Sequence, residues 1–595
     1  MANDIEEILR EVTIKECQSR LAAQQQESDL ALDLARKEYE SRLAELQRKL
    51  DDSTAIKSRV DERLAERLTQ ALKDNREIWL NNQKPFPSLD SIHIDDPIHH
   101  QVLIEDEIAP IYYHPLVQRL AHIKQLSFSY LTFPTATHTR LSHSLGVCKN
   151  AELALISIFR KGFVYSSSGK RPITLKEPQK RKLIIKAKVA ALLHDIGHGP
   201  FGHGLDQYVS AQIDDNSPDK FHGTDYIARY LKETIDSCGV NADNIIRILD
   251  KNKRKELDDP WDTLISNLID SPLDVDRMDY LVRDAHMTGL SIGTVNIQAF
   301  TDRMAGFEGE NQVLLVFELS AMPYITHLLY ARDSMYLNCY EHRTKVVAEK
   351  MLTRAIMEFP IRNQLPLDDL ILLTDERLLR VFLEFSTPSD VSYKYGLALL
   401  TNKPFVEVFS ISPKKRVAFD KKKEEVKRQK KLLEETIKKE DREPTAAETV
   451  VLSRSLIQPD EEVPLKPAAL ITTWEDQSLN LELRNLIMPT AWEDEISKHA
   501  GLPKEQKLVI VTVPSPSQIE PNRDDIKFVQ EIEGGYRIRK FEDLTGFWEG
   551  VLTHLADERY NIRVFAATDL GSEQYQRIHD AAKDLLSEKE EIRRD

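Results

Sequence analysis

ALLHDIGHGPFGHGLD, residues 191–206, joins an apolar run to a glycine-rich turn. The run predicts a helix that reaches His194-Asp195 and is broken by Gly197, Gly199 and Pro200. Imidazole and carboxylate are thereby set at a helix C-terminus, where the negative end of the dipole favours a cation. Adjacent residues cannot share one helical face. In a last turn, however, both can converge on one ion, the imidazole as a borderline ligand and the carboxylate as a hard one. A lone buried histidine would usually be structural, but His194, His198 and His203 fall within ten residues, more than packing requires. The glycine turns also let a ligand approach the backbone. The stretch points to a metal-phosphate site.

Working outward, FPTATHTRLSHSLGV (133–147) and SPLDVDRMDYLVRDAHMTG (271–289) each contain candidate partners. Arg277, Tyr280 and Asp284 stand at i, i+3 and i+7, on one helical face alongside Asp276. By themselves they would read as a surface salt-bridge set with a buried tyrosine. Arg332, Tyr336 and Tyr340 also share one face, and Arg140 offers a guanidinium fork suited to phosphate oxygens.

These segments resemble the HD-domain metal phosphohydrolases, with His143, His194, Asp195 and Asp276 completing that family's H…HD…D ligand order. Over roughly residues 95–350 the resemblance narrows to the deoxynucleoside triphosphate triphosphohydrolases. DDPIHHQVLI, HPLVQRLAHIKQLS, FPTATHTRLSHS, LLHDIGHGPFGH, DVDRMDYLVRD and YARDSMYLNCYEHR follow the order of that group. The resemblance implies a mainly α fold with an HD-domain catalytic core. It also implies a divalent ion (Mg, Mn, Fe or Zn) and cleavage of a dNTP to deoxynucleoside and inorganic triphosphate.

By the same resemblance His203 is the acid on the leaving 5′-oxygen, Asp206 orients it, and His198 contacts the α-phosphate. His222 is the fourth imidazole, followed by Gly223 where vertebrate members have glutamate. Arg140, Arg277 and Arg332 are assigned to the triphosphate, and Gln125, Leu126, Tyr280, Asp284 and Tyr340 to the sugar. Tyr336 stands where vertebrate members have histidine, which leaves base preference open. Gln118, His342 and Arg343 match regulatory-nucleotide positions, whereas Tyr113 and Ala121 replace residues that read an activating guanine.

The rest of the chain bounds this reading. With 595 residues, 41% hydrophobic and 30% charged, it is long enough for several domains. No apolar stretch approaches the roughly 20 residues of a spanning helix. The acidic, amphipathic start lacks a signal-peptide pattern, and four scattered cysteines form no CxxC pair, so a cytoplasmic address is expected. A net charge of −16 disfavours indiscriminate binding to nucleic acid or anionic membrane.

Residues 1–84 read as a helical arm in which Leu32, Tyr39 and Leu46 repeat every seven, with Leu43 and Leu50 interleaved and Arg36 interrupting. Either a helix packed on its own catalytic domain or an arm for self-association or a partner protein fits. A helical core is expected over 90–400 and a basic helical insertion over 401–465. Within the latter, residues 414–443 carry thirteen Lys/Arg against eight Asp/Glu, a local net of 13 − 8 = +5. A small α+β domain is expected over 466–595, with strands at 508–513 and 562–566 and a helix at 547–555.

The leading expectation is a dNTP triphosphohydrolase that lowers cellular dNTP, for pool balance or antiviral defence, as a nucleotide-regulated homo-oligomer. Two others stand beside it. One is an HD phosphodiesterase acting on another nucleotide or on single-stranded nucleic acid; the other is an idle nucleotide-sensing scaffold.

Overall fold

The structure, a computed structural model, describes residues 62–80, 91–213, 223–292, 295–361, 365–411, 492–512, 526–541 and 562–587. The Leu32–Leu50 seam, His222, the basic run 414–443 and the expected helix at 547–555 lie outside the described residues. By its contacts the chain divides after Gln70. In the first unit residues 62–70 are described, as helix. Among the described residues no helix is long and apolar enough to cross a membrane.

The fold is mainly helical with a smaller sheet component, as expected. Helix α1 (Arg140–Lys161) begins behind Thr139, whose hydroxyl accepts from the Ser142 amide at 3.4 Å, and ends at Gly162 in the left-handed region. Leu141, Leu145, Cys148, Leu155 and Ile158 recur at helical spacing and are buried, so this face enters the core. Helix α2 (Glu177–Leu193), with Pro178 in its first turn, packs along α1 and delivers His194 at its C-cap.

Helix α3 (His203–Ile213) restarts the chain after the glycine turn. Helix α4 (Val275–Thr288) is capped by Asp274, whose carboxylate accepts from the Arg277 amide at 2.8 Å, and stops at Gly289. It crosses α1 at Gly146. A Cβ there would meet Asp279 Oδ1 at 1.9 Å and Arg283 Nη2 at 2.4 Å, so the absence of a side chain lets the two site-bearing helices approach.

Within the expected helical core stand six strands: β1 (Ile92–Asp96), β2 (His100–Ile104), β3 (Phe163–Ser166), β4 (Gly169–Pro172), β5 (Met304–Glu308) and β6 (Val313–Glu318). β1 and β2 form an antiparallel hairpin. Later come β7 (Val406–Ile411), β8 (Val509–Thr512), β9 (Lys527–Ile532), β10 (Gly535–Lys540) and β11 (Ile562–Ala566). The strands expected at 508–513 and 562–566 are β8 and β11, which join β7 in the order β7-β11-β8.

The second sheet has the order β10-β9-β6-β5-β3-β4, so the C-terminal hairpin continues a sheet begun in the core. That sheet curls. The rings of Tyr165 on β3 and Tyr536 on β10 are 4.7 Å apart although their strands are not neighbours, and they share an apolar cluster with Ala305, Val316 and Val529.

Candidate active site

Four side chains, from two helices and the capped end of a third, converge. His143 Nε2 lies 2.9 Å from Asp276 Oδ1 and 4.0 Å from Asp195 Oδ2. His194 Nε2 lies 3.4 Å from Asp195 Oδ1 and 3.7 Å from Asp276 Oδ1. His143 sits one turn into α1, His194 and Asp195 stand where α2 ends, and Asp276 opens α4. The helix stop at His194-Asp195 is the one expected from the glycine pattern.

His194 Nδ1 is 2.7 Å from the Ala191 carbonyl oxygen, which keeps a proton on that nitrogen and leaves Nε2 to give up its own when a cation binds. Its Nε2 is buried and makes no hydrogen bond. A lone-pair nitrogen aimed at two carboxylates and a second imidazole fits a divalent cation. Burial alone would neutralise Asp195 and Asp276. For Asp195 the charge of His194 and the Arg140 guanidinium outweigh burial, and for Asp276 the two imidazoles do, so both are held well below the usual carboxylate range. Burial likewise opposes charge on His143, yet Asp276 and Asp279 push its pKa up to about 10.

Support comes from residues that the sequence reading did not single out. Asp279 Oδ2 accepts from His143 Nδ1 at 2.8 Å, and its Oδ1 lies 2.8 Å from His99 Nε2. Arg283 donates to both Asp279 oxygens, at 2.8 and 3.0 Å, and to Asp96 at 2.7 Å. The β1–β2 hairpin thus braces His143 through a buried carboxylate. The i, i+4 spacing of Asp279 and Arg283 and the two histidines of DDPIHH were the available signals. The distant pairing was not.

Next to the quartet, His203 Nδ1 is 2.6 Å from Asp206 Oδ2. The His198 and His203 rings stand perpendicular with centroids 4.9 Å apart, and His198 Nε2 is 3.4 Å from Asp195 Oδ1. Burial would raise the Asp206 carboxyl, but hydrogen bonds from His198 and His203 hold it below its usual range. Both histidines line the cavity that also exposes Gln125, Arg140, Asp276 and Tyr280.

Arg140 donates from Nη1 to Asp195 Oδ2 at 2.6 Å, while its buried Nε and Nη2 have no partner. Gly202, at φ +48°, makes room for this guanidinium: a Cβ there would sit 2.2 Å from Nη2. Tyr280 connects the cavity to the sugar candidates, its ring 6.4 Å from His143 and 6.2 Å from Tyr340. Tyr340 Oη donates to Asp284 Oδ2 at 2.7 Å, and His138 Nε2 meets Asp284 Oδ1 at 2.7 Å. Arg332 lies over the Tyr336 ring at 4.5 Å, with its buried Nε and Nη1 unbonded. Leu126 is buried, and Gln125 Oε1 is buried with no partner.

Arg277 is placed differently from the other candidates. Its guanidinium bonds Ser271 O and, at 2.8 Å, Asp274 Oδ2, so it closes its own helix cap. Of the regulatory candidates, Gln118 donates to the Tyr112 carbonyl at 2.7 Å, and His342 caps helix α5 (Arg343–Met357). Arg343 stands 3.8 Å from Glu407. The neighbouring Arg119 is fully buried and bonds the carbonyls of Ile196, His198 and Ile371 at 2.8–3.0 Å, clamping the glycine turn.

Residues 140–284, which hold all four converging side chains, match the HD domain. This segment is an HD domain. An uncharacterised protein of Bacillus subtilis is 30% identical over 262 residues, 44% of this chain and 54% of the relative. Human deoxynucleoside triphosphate triphosphohydrolase SAMHD1 is 25% identical over 289 residues, 44% of each chain. The chain spans about half the length of the curated relatives it matches. The crystal structure of a phosphohydrolase from Bacteroides thetaiotaomicron superposes with a TM-score of 0.53 at 20% identity, covering 80% of this chain and 99% of the other, a likeness of fold. The matched HD domain and its relatives support metal-dependent phosphohydrolase chemistry at this site.

Proposed function

We propose that the HD domain hydrolyses deoxynucleoside triphosphates to deoxynucleoside and inorganic triphosphate. The observation that carries the reading is the buried acceptor Asp284, held by Tyr340 and His138 and linked to the metal quartet through the Tyr280 ring. A sugar hydroxyl suits such an acceptor, and a polymer backbone has no obvious use for it.

When bound by His143, His194, Asp195 and Asp276, a divalent ion lowers the pKa of water and polarises a phosphoryl oxygen. The protein does the rest. Arg140 and Arg332 present buried N–H groups that phosphate oxygens would satisfy. His203, with Asp206 on its Nδ1, would donate its Nε2 proton to the departing 5′-oxygen while the carboxylate stabilises the imidazolium. His198 would contact the α-phosphate. Tyr340 and Leu126 would wall the 2′ side, and Gln125 and Asp284 would bond the 3′-hydroxyl. A 2′-hydroxyl buried there without a partner would cost about 1–3 kcal/mol, or roughly ten- to hundredfold in rate.

The reading extends to a cytoplasmic, nucleotide-regulated homo-oligomer that lowers dNTP pools, with antiviral defence as one purpose. His342 and Arg343 would serve the regulatory nucleotide, and the N-terminal helices would serve self-association or a partner protein. The test is to incubate purified protein with Mn²⁺ or Mg²⁺ and each dNTP, singly and mixed, and to separate the products. Nucleoside with triphosphate is expected. Monophosphate with pyrophosphate, or equal rates on dNTP and NTP, would overturn the assignment.

A further inference from the structure

His138 is buried and belongs to neither the metal quartet nor the leaving-group pair. Its side chain and its backbone nevertheless reach two of the proposed sugar contacts, Asp284 and Gln125. Nε2 bonds Asp284 Oδ1 at 2.7 Å, with both side chains nearly solvent-free, and the His138 carbonyl accepts from the Gln125 amide at 3.0 Å. The two loops pair antiparallel there: the Arg140 amide donates to the Ile123 carbonyl at 2.9 Å, and this bond and the Gln125–His138 bond bracket a Lys124–Thr139 bridge. The six residues 138–143 thus put His138 on Asp284, Arg140 on Asp195 and His143 on Asp276. This segment fixes the spacing between sugar acceptor, phosphate cation and metal ligand.

We propose that His138 is a positioning residue that holds Asp284 and Gln125 in register and thereby sets recognition of the substrate 3′-hydroxyl. The inference rests on the dNTPase reading above. The plainer alternative is a buried pair that only stabilises the fold. Against it stands His138 Nδ1, buried with no hydrogen-bond partner, a cost that a purely structural histidine has no reason to carry. Tyr340 already occupies the other oxygen of Asp284, so the His138 bond selects which way the carboxylate is turned.

The test is a cycle of variant against substrate. Wild type, His138→Leu, His138→Asn and His138→Gln are assayed on a dNTP and on the matching 2′,3′-dideoxynucleoside triphosphate, after thermal melts have shown which variants fold. The Leu variant keeps bulk without a donor, the Asn amide is too short to reach Asp284, and the Gln amide can replace the Nε2 donor. Leu or Asn is expected to lower kcat/KM on the dNTP roughly ten- to hundredfold, chiefly through KM. The penalty on the analogue lacking the 3′-hydroxyl should be several-fold smaller, and Gln should restore most of the loss. Equal penalties on both substrates, or a folded Gln variant no better than Asn, would overturn the role of His138 alone. Absence of dNTP turnover by the wild type would overturn the dNTPase reading itself and this inference with it.

Discussion

The HD domain holds two histidine groups side by side, and they are built to opposite specifications. In the candidate metal quartet the far nitrogen of each ring is engaged, His143 by Asp279 and His194 by the Ala191 carbonyl, and Asp279 is gripped in turn by Arg283 and His99. In the second group His203 is 70% exposed along its side chain and leans on one carboxylate from its own helix, Asp206. An ion holder gains from having no freedom, because every ligand must keep its place. A proton donor must be refilled from solvent each cycle, so it gains from access. Rigidity and exposure in adjacent residues suit the different tasks proposed for them.

Removing a ligand should break the rigid half outright. His194→Ala is expected to abolish both hydrolysis and metal retention while the melting temperature changes little, since the site holds an ion more than a core. Metal content by elemental analysis checks it, and full occupancy with normal turnover would refute the ligand assignment. The exposed half should fail differently. His203→Gln is expected to lose about 10²–10⁴-fold in kcat while binding metal normally, the range for a missing acid. Loss of metal in that variant would erase the distinction between the two groups.

A smaller effect should come from the brace. Asp279→Asn is expected to weaken metal affinity about 10–100-fold, as for other partners of ligating histidines. Titrating the metal back should recover turnover in that variant, and unchanged affinity would show the hairpin to be a passive neighbour.

The least effect on chemistry is expected from pH acting on the support of the turn. His114 caps the short helix preceding Arg119, its Nδ1 accepting from the Leu116 amide at 3.2 Å, and burial pushes its pKa down to about 4. The neutral ring is therefore the folded form, and the unfolded chain takes up the proton first. Its contribution is present above about pH 6.5 and is lost as pH falls towards 4, about 2 kcal/mol between pH 7 and pH 5. His114→Asn keeps an acceptor and removes the titration. Melts across that range should show a shallower acid slope in the variant, and identical slopes would rule His114 out.

Much of the site was legible before any coordinates. The helix stop at His194-Asp195 and the His203–Asp206 pair follow from short patterns in which local geometry carries the meaning, while His143 and Asp276 were named only by family resemblance and lie beside them in the structure. The strands at 509–512 and 562–566 were likewise visible as apolar β-branched runs. Strands β3 to β6 were absorbed into a helical reading because each is only four to six residues long, too short for periodicity to separate strand from helix. The β9–β10 hairpin was also missed, although Gly534-Gly535 marks its turn. Arg277 looked like a phosphate ligand because it follows a metal aspartate; its guanidinium instead finds the nearer acceptors in its own cap.

The sequence by itself determined the helical class and the helix stop at His194-Asp195, because those depend on neighbours within a few turns of helix. Tertiary structure alone decided that Gly146 brings α1 and α4 together, that His99 and Asp96 brace His143 through Asp279 and Arg283, and that His138 faces Asp284. His138 and Asp284 are 146 positions apart and His99 and Asp279 180 apart. No periodicity spans such distances, and only the burial of a charged group, which demands a partner wherever the fold can supply one, selects the pairing.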